Sequence, residues 1–414
     1  MAIGIVSVYP PRGEHHAAMS GVASMAKNIA QTVSVDETVH VVTNSVDGES
    51  DRYVEDNIVV HRCWEPGVRY PFQIVRALLS IDDLDVVHIH HEYDGMYGGI
   101  ASNALFPLLL LGLHLTGARI VTQPHGVVFD TELIDTKGVD SPLVALPETL
   151  LELVLVSFNQ LLVWLSHTVV VPNSALERDI SNHCLMTEKS LAVVPHGVEP
   201  NVIAGGRTPP DEEFTILYFG YITWRKGPDI IVEAAKSLPD EWRLVLAGGQ
   251  VPYLADNSDY QQYYEAVQST ADRLENITLT GFVDEADLDR YFTQADVLVL
   301  PYRKFIAASG VFSLGLRYSV PFLLSEELSP LLENEDASQL LQKHDIDESD
   351  LSFSLEEAGQ DLEHQIRSLC EENERYNRVA AFSEALCEAR EWDQLRSRYM
   401  ELYYPAENDC LTHE

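Results

Sequence analysis

A chain of 414 residues, 46% hydrophobic and 9% aromatic, is too long for one compact core and apolar enough to bury two, which excludes wholesale disorder. Its 65 acidic and 27 basic residues give a formal charge of −38, which repels phosphate backbones and anionic headgroups and sets nucleic acid aside as a partner. Seven of the bases are lysine and the acids are dispersed, a pattern that predicts a halophilic, haloarchaeal source, with an acidic mesophilic protein as the alternative.

Along the first half, short β-branched runs alternate with helical periodicity. Strands are expected at Ile3–Val8, Thr38–Thr43, Ile58–Arg62, Asp85–His90, Arg119–Thr122, Thr168–Val171 and Leu191–Val194. Helices are expected at Gly21–Val33, Tyr97–Leu113, Pro147–Ser166 and Ser174–Cys184. This alternation implies a parallel sheet, because each parallel crossover needs a covering segment. The Gly/Pro/acid stretch from Gly205 to Glu213 reads as a linker.

The alternation then resumes. Strands are expected at Phe214–Phe219, Arg243–Ala247, Ile277–Thr280, Asp296–Leu300 and Pro321–Ser325. Helices are expected at Pro228–Leu238, Tyr260–Leu274, Glu285–Phe292 and Gly310–Tyr318, followed by an acidic, mostly helical tail from Glu326. Domains are expected at 1–205 and 206–388, with 389–414 forming a last helix and tail.

Five dispersed cysteines (Cys63, Cys184, Cys370, Cys387, Cys410) contain no Cys-x-x-Cys pair and argue against a disulfide framework or zinc ribbon. Met1–Val6 reads as a first strand rather than a signal peptide, so a cytoplasmic location is expected. The apolar run Ala104–Leu115 is short of the ~20 residues needed to span a bilayer. Leu146–Leu165 is interrupted by Glu148, Glu152, Asn159 and Gln160 and reads as a buried helix, with a peripheral membrane contact left open.

The most informative segment is Phe219–Gly227. Gly220 ends a strand, Gly227 opens a helix, and Arg225 and Lys226 put two cations between them. A diphosphate matches that combination, since arginine binds bidentately, lysine acts as a point charge and helix amides favour negative charge. A solvated loop pair is the plainer alternative. Ser309, Gly310 and Val311 offer a second anion site, with Ser309 as N-cap and Gly310 allowing close approach.

In the first half, His125 follows a strand, where it would bond a sugar hydroxyl, handle a proton near neutral pH or simply bond backbone. Ser20-Gly21 reads as a helix cap or a phosphate contact. His88, His90, His91, Glu92 and Asp94 form a cluster that admits a zinc site, but no second spaced cluster supports one.

These segments in this order resemble the retaining nucleotide-sugar glycosyltransferases of family 4. The match includes Asp85–His90, Val121–Gly126, Val194–Val198, Gly220–Gly227, Leu246–Gly249, Gly281–Val283 and Ala295–Pro301, and ends in a last helix at Trp392–Tyr403. The resemblance implies the GT-B fold: an α/β architecture of two doubly wound Rossmann-like domains facing across a cleft, with a C-terminal helix crossing back to the first. It implies that Arg225 and Lys226 hold the donor diphosphate with the amides of Ser309, Gly310 and Val311. Gly220 would shape that loop, Gly281, Phe282 and Val283 would lie near the base, and Gly21 near the donor phosphate or acceptor. His125 would face the transferred sugar.

No cofactor or metal is implied beyond the nucleoside-diphosphate sugar donor. The acceptor would be a glycan or a lipid-linked sugar. The family's two glutamates, eight positions apart, fall near Ile306 and Leu314, and no Asp or Glu occurs from Val297 through Ser325. This places the chain with the Ser-Gly-Val version of that segment. Tyr221 also replaces the family's frequent arginine. The expected activity is retaining hexosyl transfer; a non-catalytic GT-B subunit partnering an active transferase is the alternative, followed by a zinc hydrolase on the histidine cluster.

Overall fold

The computed structural model describes residues 2–14, 21–93, 95–129, 147–186, 191–199, 207–209, 213–356 and 358–405. Ser20, Asp94, Cys410 and most of the expected linker lie outside the described residues. The chain divides into two compact units. One comprises Met1–Gly197, Ile306–Ala308 and Trp392–Glu414; the other comprises Val198–Phe305 and Ser309–Glu391.

The first unit is built on eight strands: β1 (Ala2–Val6), β2 (Thr38–Asn44), β3 (Arg52–Glu55), β4 (Ile58–Trp64), β5 (Leu84–His91), β6 (Arg119–Pro124), β7 (Thr168–Val171) and β8 (Leu191–Val193). Their order is β3-β4-β2-β1-β5-β6-β7-β8, parallel throughout except for β3 against β4. Every residue of β1 and β7 is buried, which is why these strands read as unbroken apolar runs rather than alternating ones. The crossovers carry α1 (Gly21–Val33), α2 (Tyr70–Leu78), α3 (Ile100–Asn103), α4 (Phe106–Leu113), α5 (Glu148–Leu165) and α6 (Ser174–His183).

Three features depart from the sequence expectation. Strand β3 reaches β4 through a tight turn with Asp56 at φ +52°, a conformation Asp tolerates better than most residues. Helix α2 falls in a stretch to which the sequence assigns no element; Pro71 sits in its first turn and Tyr70, Ile74 and Leu78 face the core at i, i+4, i+8. The single helix expected over Tyr97–Leu113 starts later, after Gly98 at φ +111°, and is two, because Pro107 supplies no N–H to a continuous helical ladder.

The second unit has β9 (Thr215–Phe219), β10 (Arg243–Ala247), β11 (Ile277–Leu279), β12 (Val297–Leu300), β13 (Phe322–Ser325) and β14 (Ser352–Phe353). All pairs are parallel and the order is β11-β10-β9-β12-β13-β14. Counted from β9 this is the doubly wound 3-2-1-4-5-6 arrangement, whose order reverses between β9 and β12. Its helices are α7 (Pro228–Ala235), α8 (Ser258–Ala271), α9 (Leu288–Gln294), α10 (Gly310–Arg317), α11 (Glu335–Lys343), α12 (Ala358–Glu371) and α13 (Asn373–Ala389). Asn257 caps α8 by accepting from the Tyr260 amide at 2.9 Å.

The last helix, α14 (Trp392–Tyr403), belongs to the first unit, where it packs on α1 and β6. Its buried Leu395, Tyr399 and Tyr403 join Met25, Ile29 and Val33 of α1 in one apolar cluster. Arg119 closes its C-terminus by donating to the Leu402 carbonyl at 2.9 Å.

Candidate functional site

Within the second unit, the switch between β9 and β12 is where a ligand is expected at the carboxyl ends of the strands. Phe219 ends β9 and Gly220 follows at φ +121°. A Cβ on Gly220 would lie 2.4 Å from the Lys226 Nζ, so the absent side chain makes room for the lysine head. Trp224–Lys226 form one 3-10 turn, closed by Gly227 at φ +65°. A Cβ on Gly227 would come within 2.0 Å of the Pro301 carbonyl oxygen, so the loops after β9 and β12 touch there.

Arg303 ties those two loops together. Its amide donates to the Arg225 carbonyl and its Nη1 to the Trp224 carbonyl, both at 2.8 Å. The same guanidinium grips Asp229 in the first turn of α7, at 2.9 and 2.5 Å. Tyr263 of α8 donates to Asp229 at 2.5 Å. Burial raises the Asp229 pKa, but the hydrogen bonds from Arg303 and Tyr263 outweigh it and hold the carboxyl below its ordinary value. Above this brace, the Arg225 and Lys226 heads lie 5.8 and 5.6 Å from the centroid of the Tyr302 ring.

This arrangement refines the expectation for Gly227. Pro228 has no N–H to offer, and Asp229 already places an anion at the start of α7. The amides left for a ligand at the switch are those of α10. There Ser309 caps the helix by accepting from the Phe312 amide at 3.2 Å, so Gly310 and Val311 occupy the positions whose N–H groups have no acceptor inside the helix.

The other second-unit candidates lie on the same edge of the sheet. A Cβ on Gly248 would meet the Gly220 carbonyl at 1.9 Å, and one on Gly249 would meet the Phe282 amide at 2.8 Å. The loops after β9, β10 and β11 are therefore in backbone contact. Gly281 takes φ +76°, Phe282 is exposed and Val283 is partly buried against the core. Arg303 and Tyr263 carry no local sequence signal of this role, and an acid in the first turn of α7 is the signal that marks Asp229. Replacing Asp229 with Asn should weaken nucleotide binding on the order of tenfold, since charged hydrogen bonds fix the cationic turn; calorimetric titration with nucleoside diphosphates checks this.

In the first unit, Gly21 opens α1 and is exposed, with open space around its Cα. Lys27, one turn and a half further on, is buried and bonds Glu55 at 2.8 Å and the Glu14 carbonyl at 2.7 Å. His125 follows β6 and is partly exposed, with its amide on the His91 carbonyl at 2.8 Å. Its Nε2 lies 2.8 Å from the Nδ1 of His90. Burial, then the neighbouring His196, His88 and His91, push its pKa down to about 3. A neutral imidazole suits hydrogen bonding to a hydroxyl rather than proton transfer near neutral pH.

The histidine cluster splits across the sheet. His88 and His90 share one face of β5, and the His88 Nδ1 meets the Tyr403 hydroxyl at 2.6 Å. His91 points to the other face, among Tyr93, Tyr97, Phe106 and Phe158. Among the described residues, no group of three or more His, Cys, Asp or Glu is arranged to hold a metal ion.

Burial pushes His91 from 6.5 down to about 3. The unfolded chain therefore takes up a proton first, so this contribution to stability is whole above pH 6.5 and is lost as pH falls from there toward 3. A His91→Phe protein should lose less stability than the parent between pH 7 and 4, measured by urea midpoints.

Residues 19–202 match the family model Glycosyltransferase Family 4, and residues 204–313 match Glycosyl transferases group 1. The chain belongs to the family 4, group 1 glycosyltransferases. Enzymes of this family are in general retaining hexosyltransferases that use nucleotide-sugar donors, and the chain is such a transferase. No curated protein sequence matches it.

Among solved structures, sucrose-phosphate synthase from Thermosynechococcus elongatus aligns at TM-score 0.70 and 15% identity, covering 97% of this chain and 98% of the other. Anabaena Alr3699/HepE in complex with UDP and glucose aligns at 0.63 and 12%, covering 97% and 98%. The lipopolysaccharide outer core galactosyltransferase WaaB aligns at 0.60 and 11%, covering 97% and 99%. These likenesses establish the GT-B fold, with its two parallel α/β sheets and a C-terminal helix on α1, for the transferase.

Proposed function

We propose that the transferase moves a hexose from a nucleoside-diphosphate sugar to a glycan or lipid-linked acceptor, with Arg225 and Lys226 gripping the diphosphate. The observation that carries this reading is the cationic turn Trp224–Lys226, locked at the switch of the second sheet by Gly220, Gly227 and Arg303. Complexes of the Anabaena protein with UDP and with UDP-glucose lend support to a diphosphate donor of this class.

As the bond from C1 to the phosphate oxygen breaks, negative charge grows on the diphosphate. Two cations and the Gly310 and Val311 amides offset it in place. The acceptor hydroxyl attacks C1 from the leaving-group side and passes its proton to the departing phosphate oxygen. The products are the glycoside, with configuration retained, and the nucleoside diphosphate. This route needs no carboxylate base, which agrees with the absence of Asp and Glu from Val297 through Ser325. Gly281–Val283 would approach the base, Gly21 the donor phosphate or acceptor, and His125 would bond the sugar. The acidic surface fits a halophilic source.

The test is an assay of UDP-, GDP- and ADP-hexoses with glycan and lipid-linked acceptors in high salt, reading the anomeric proton coupling of the product. Transfer with the donor's anomeric configuration supports the reading. Inverted product, or donor binding with no transfer or hydrolysis, overturns it.

A further inference from the structure

The first unit carries an apolar face that its own core leaves uncovered. On α5, Leu150, Leu153, Val154, Leu161 and Trp164 are exposed, whereas Leu151, Leu155, Leu162 and Val163 on the opposite side are buried. At about 100° per residue the five exposed side chains fall in a stripe roughly 100° wide and about 21 Å long. Helix α4 packs against α5 and adds exposed Leu108 and Leu111, with Leu115 in the following turn. Helix α2 packs against α4 and adds Phe72, with Leu79 just beyond its end. Single exposed apolar residues are ordinary on a soluble surface; a run across three adjoining helices marks an interaction site.

Charge decides what covers it. Helices α2, α4 and α5 with the turn His114–Thr116 contain two acidic residues, Glu148 and Glu152, in a chain that has 65 among 414. Helix α2 and its N-cap expose Arg69 and Arg76, while the nearest exposed acids along the chain are Glu65 before the cap and Asp82 and Asp83 beyond Leu79. A net charge of −38 opposes approach to anionic headgroups, but salt largely screens charges more than about 8 Å away, so the local charge of a surface decides contact, and the exposed stripe of α5 carries no acid. Apolar area with arginines at its edge complements a lipid bilayer, which is apolar inside and negative at its rim.

We propose that α2, α4 and α5 form a monotopic membrane-docking face, the helices lying in the plane of the bilayer with Trp164 at headgroup level. Among the described residues, no helix is long and apolar enough to cross a membrane, so the contact is one of lying on the bilayer. Docking would select lipid-linked acceptors over soluble glycans. That last clause rests on the function proposed above; the docking itself rests on the surface alone.

The test is flotation of the full chain with vesicles of phosphatidylcholine and of phosphatidylcholine–phosphatidylglycerol at physiological ionic strength. The parent should float with vesicles, more strongly with phosphatidylglycerol. The double variant Leu153→Asp/Leu161→Asp should lose at least tenfold of the binding, and Arg69→Ser/Arg76→Ser should lose the phosphatidylglycerol preference. Nucleotide binding by calorimetry should be unchanged in both, which separates failure to dock from failure of the donor site. Should the aspartate variant not fold, brominated lipid should quench the parent's tryptophan fluorescence, an effect reduced in Trp164→Phe. A parent that stays in the soluble fraction without quenching would overturn the proposal. So would a dimer that the aspartate substitutions dissociate while leaving flotation intact.

Discussion

Lys226→Ala should lower kcat by about 10²–10³-fold, with a smaller change in KM, as for loss of other groups that stabilise charge developing in a transition state. The lysine head lies over Gly220 so closely that a Cβ there would sit 2.4 Å from Nζ, and its turn is tied to the β12 loop through Arg303. Because the turn that carries the lysine is fixed by backbone contacts, the charge is held close to the site before the sugar–phosphate bond breaks. Lys226→Arg should recover only part of the loss, since a planar guanidinium does not reproduce a point charge. Steady-state kinetics on the donor identified by the transfer assay reads this directly, with the melting temperature as control. Full kcat in Lys226→Ala would remove the diphosphate assignment.

Gly227→Ala should be among the most damaging single methyls in the second unit. Its φ of +65° lies in the left-handed region, and the added carbon would fall 2.0 Å from the Pro301 carbonyl oxygen. The forced shift is worth about 1–3 kcal/mol by analogy with overpacked sites, and the left-handed backbone adds roughly 1–2 kcal/mol. The functional cost is larger, because pushing the β9 and β12 loops apart by even about 1 Å misplaces both cations, and such a displacement reduces turnover on the order of 10²-fold. Chemical denaturation and kinetics together check this. A protein with normal turnover and reduced stability would show that the contact holds the fold but not the site.

Much of the architecture can be read from the chain because parallel strands buried on both faces leave unbroken apolar runs, such as Val297–Leu300 and Thr168–Val171. The missed elements lack that signature. Strand β3, Arg52–Glu55, lies at the sheet edge and is mostly solvated, and α2 carries in its first turn a proline that reads locally as a turn. At the site, the strand-to-helix loops with their glycines and cations are legible because Gly220 and Lys226 are six positions apart. The brace beneath them is not: Arg303 lies 74 residues from Asp229, and Tyr263 lies 34 from it. Only the folded β9–β12 neighbourhood brings these three together.

Helix α5 shows a different limit. Its sequence is mostly apolar, broken by Glu148, Glu152, Asn159 and Gln160, which a buried helix and a surface-docking helix share, and the structure leaves one full stripe of it exposed. The histidines at the end of β5 are similar. Their spacing suggests a ligand set, but the period of two sends His91 to the face opposite His88 and His90.

The most direct test of the central claim is calorimetric titration of the parent and Lys226→Ala with UDP, GDP and ADP in high salt. The account predicts that at least one diphosphate binds the parent at one site per chain and that the substitution weakens that binding at least tenfold. Equal binding by the two proteins, or no binding of any diphosphate to folded parent, would contradict it.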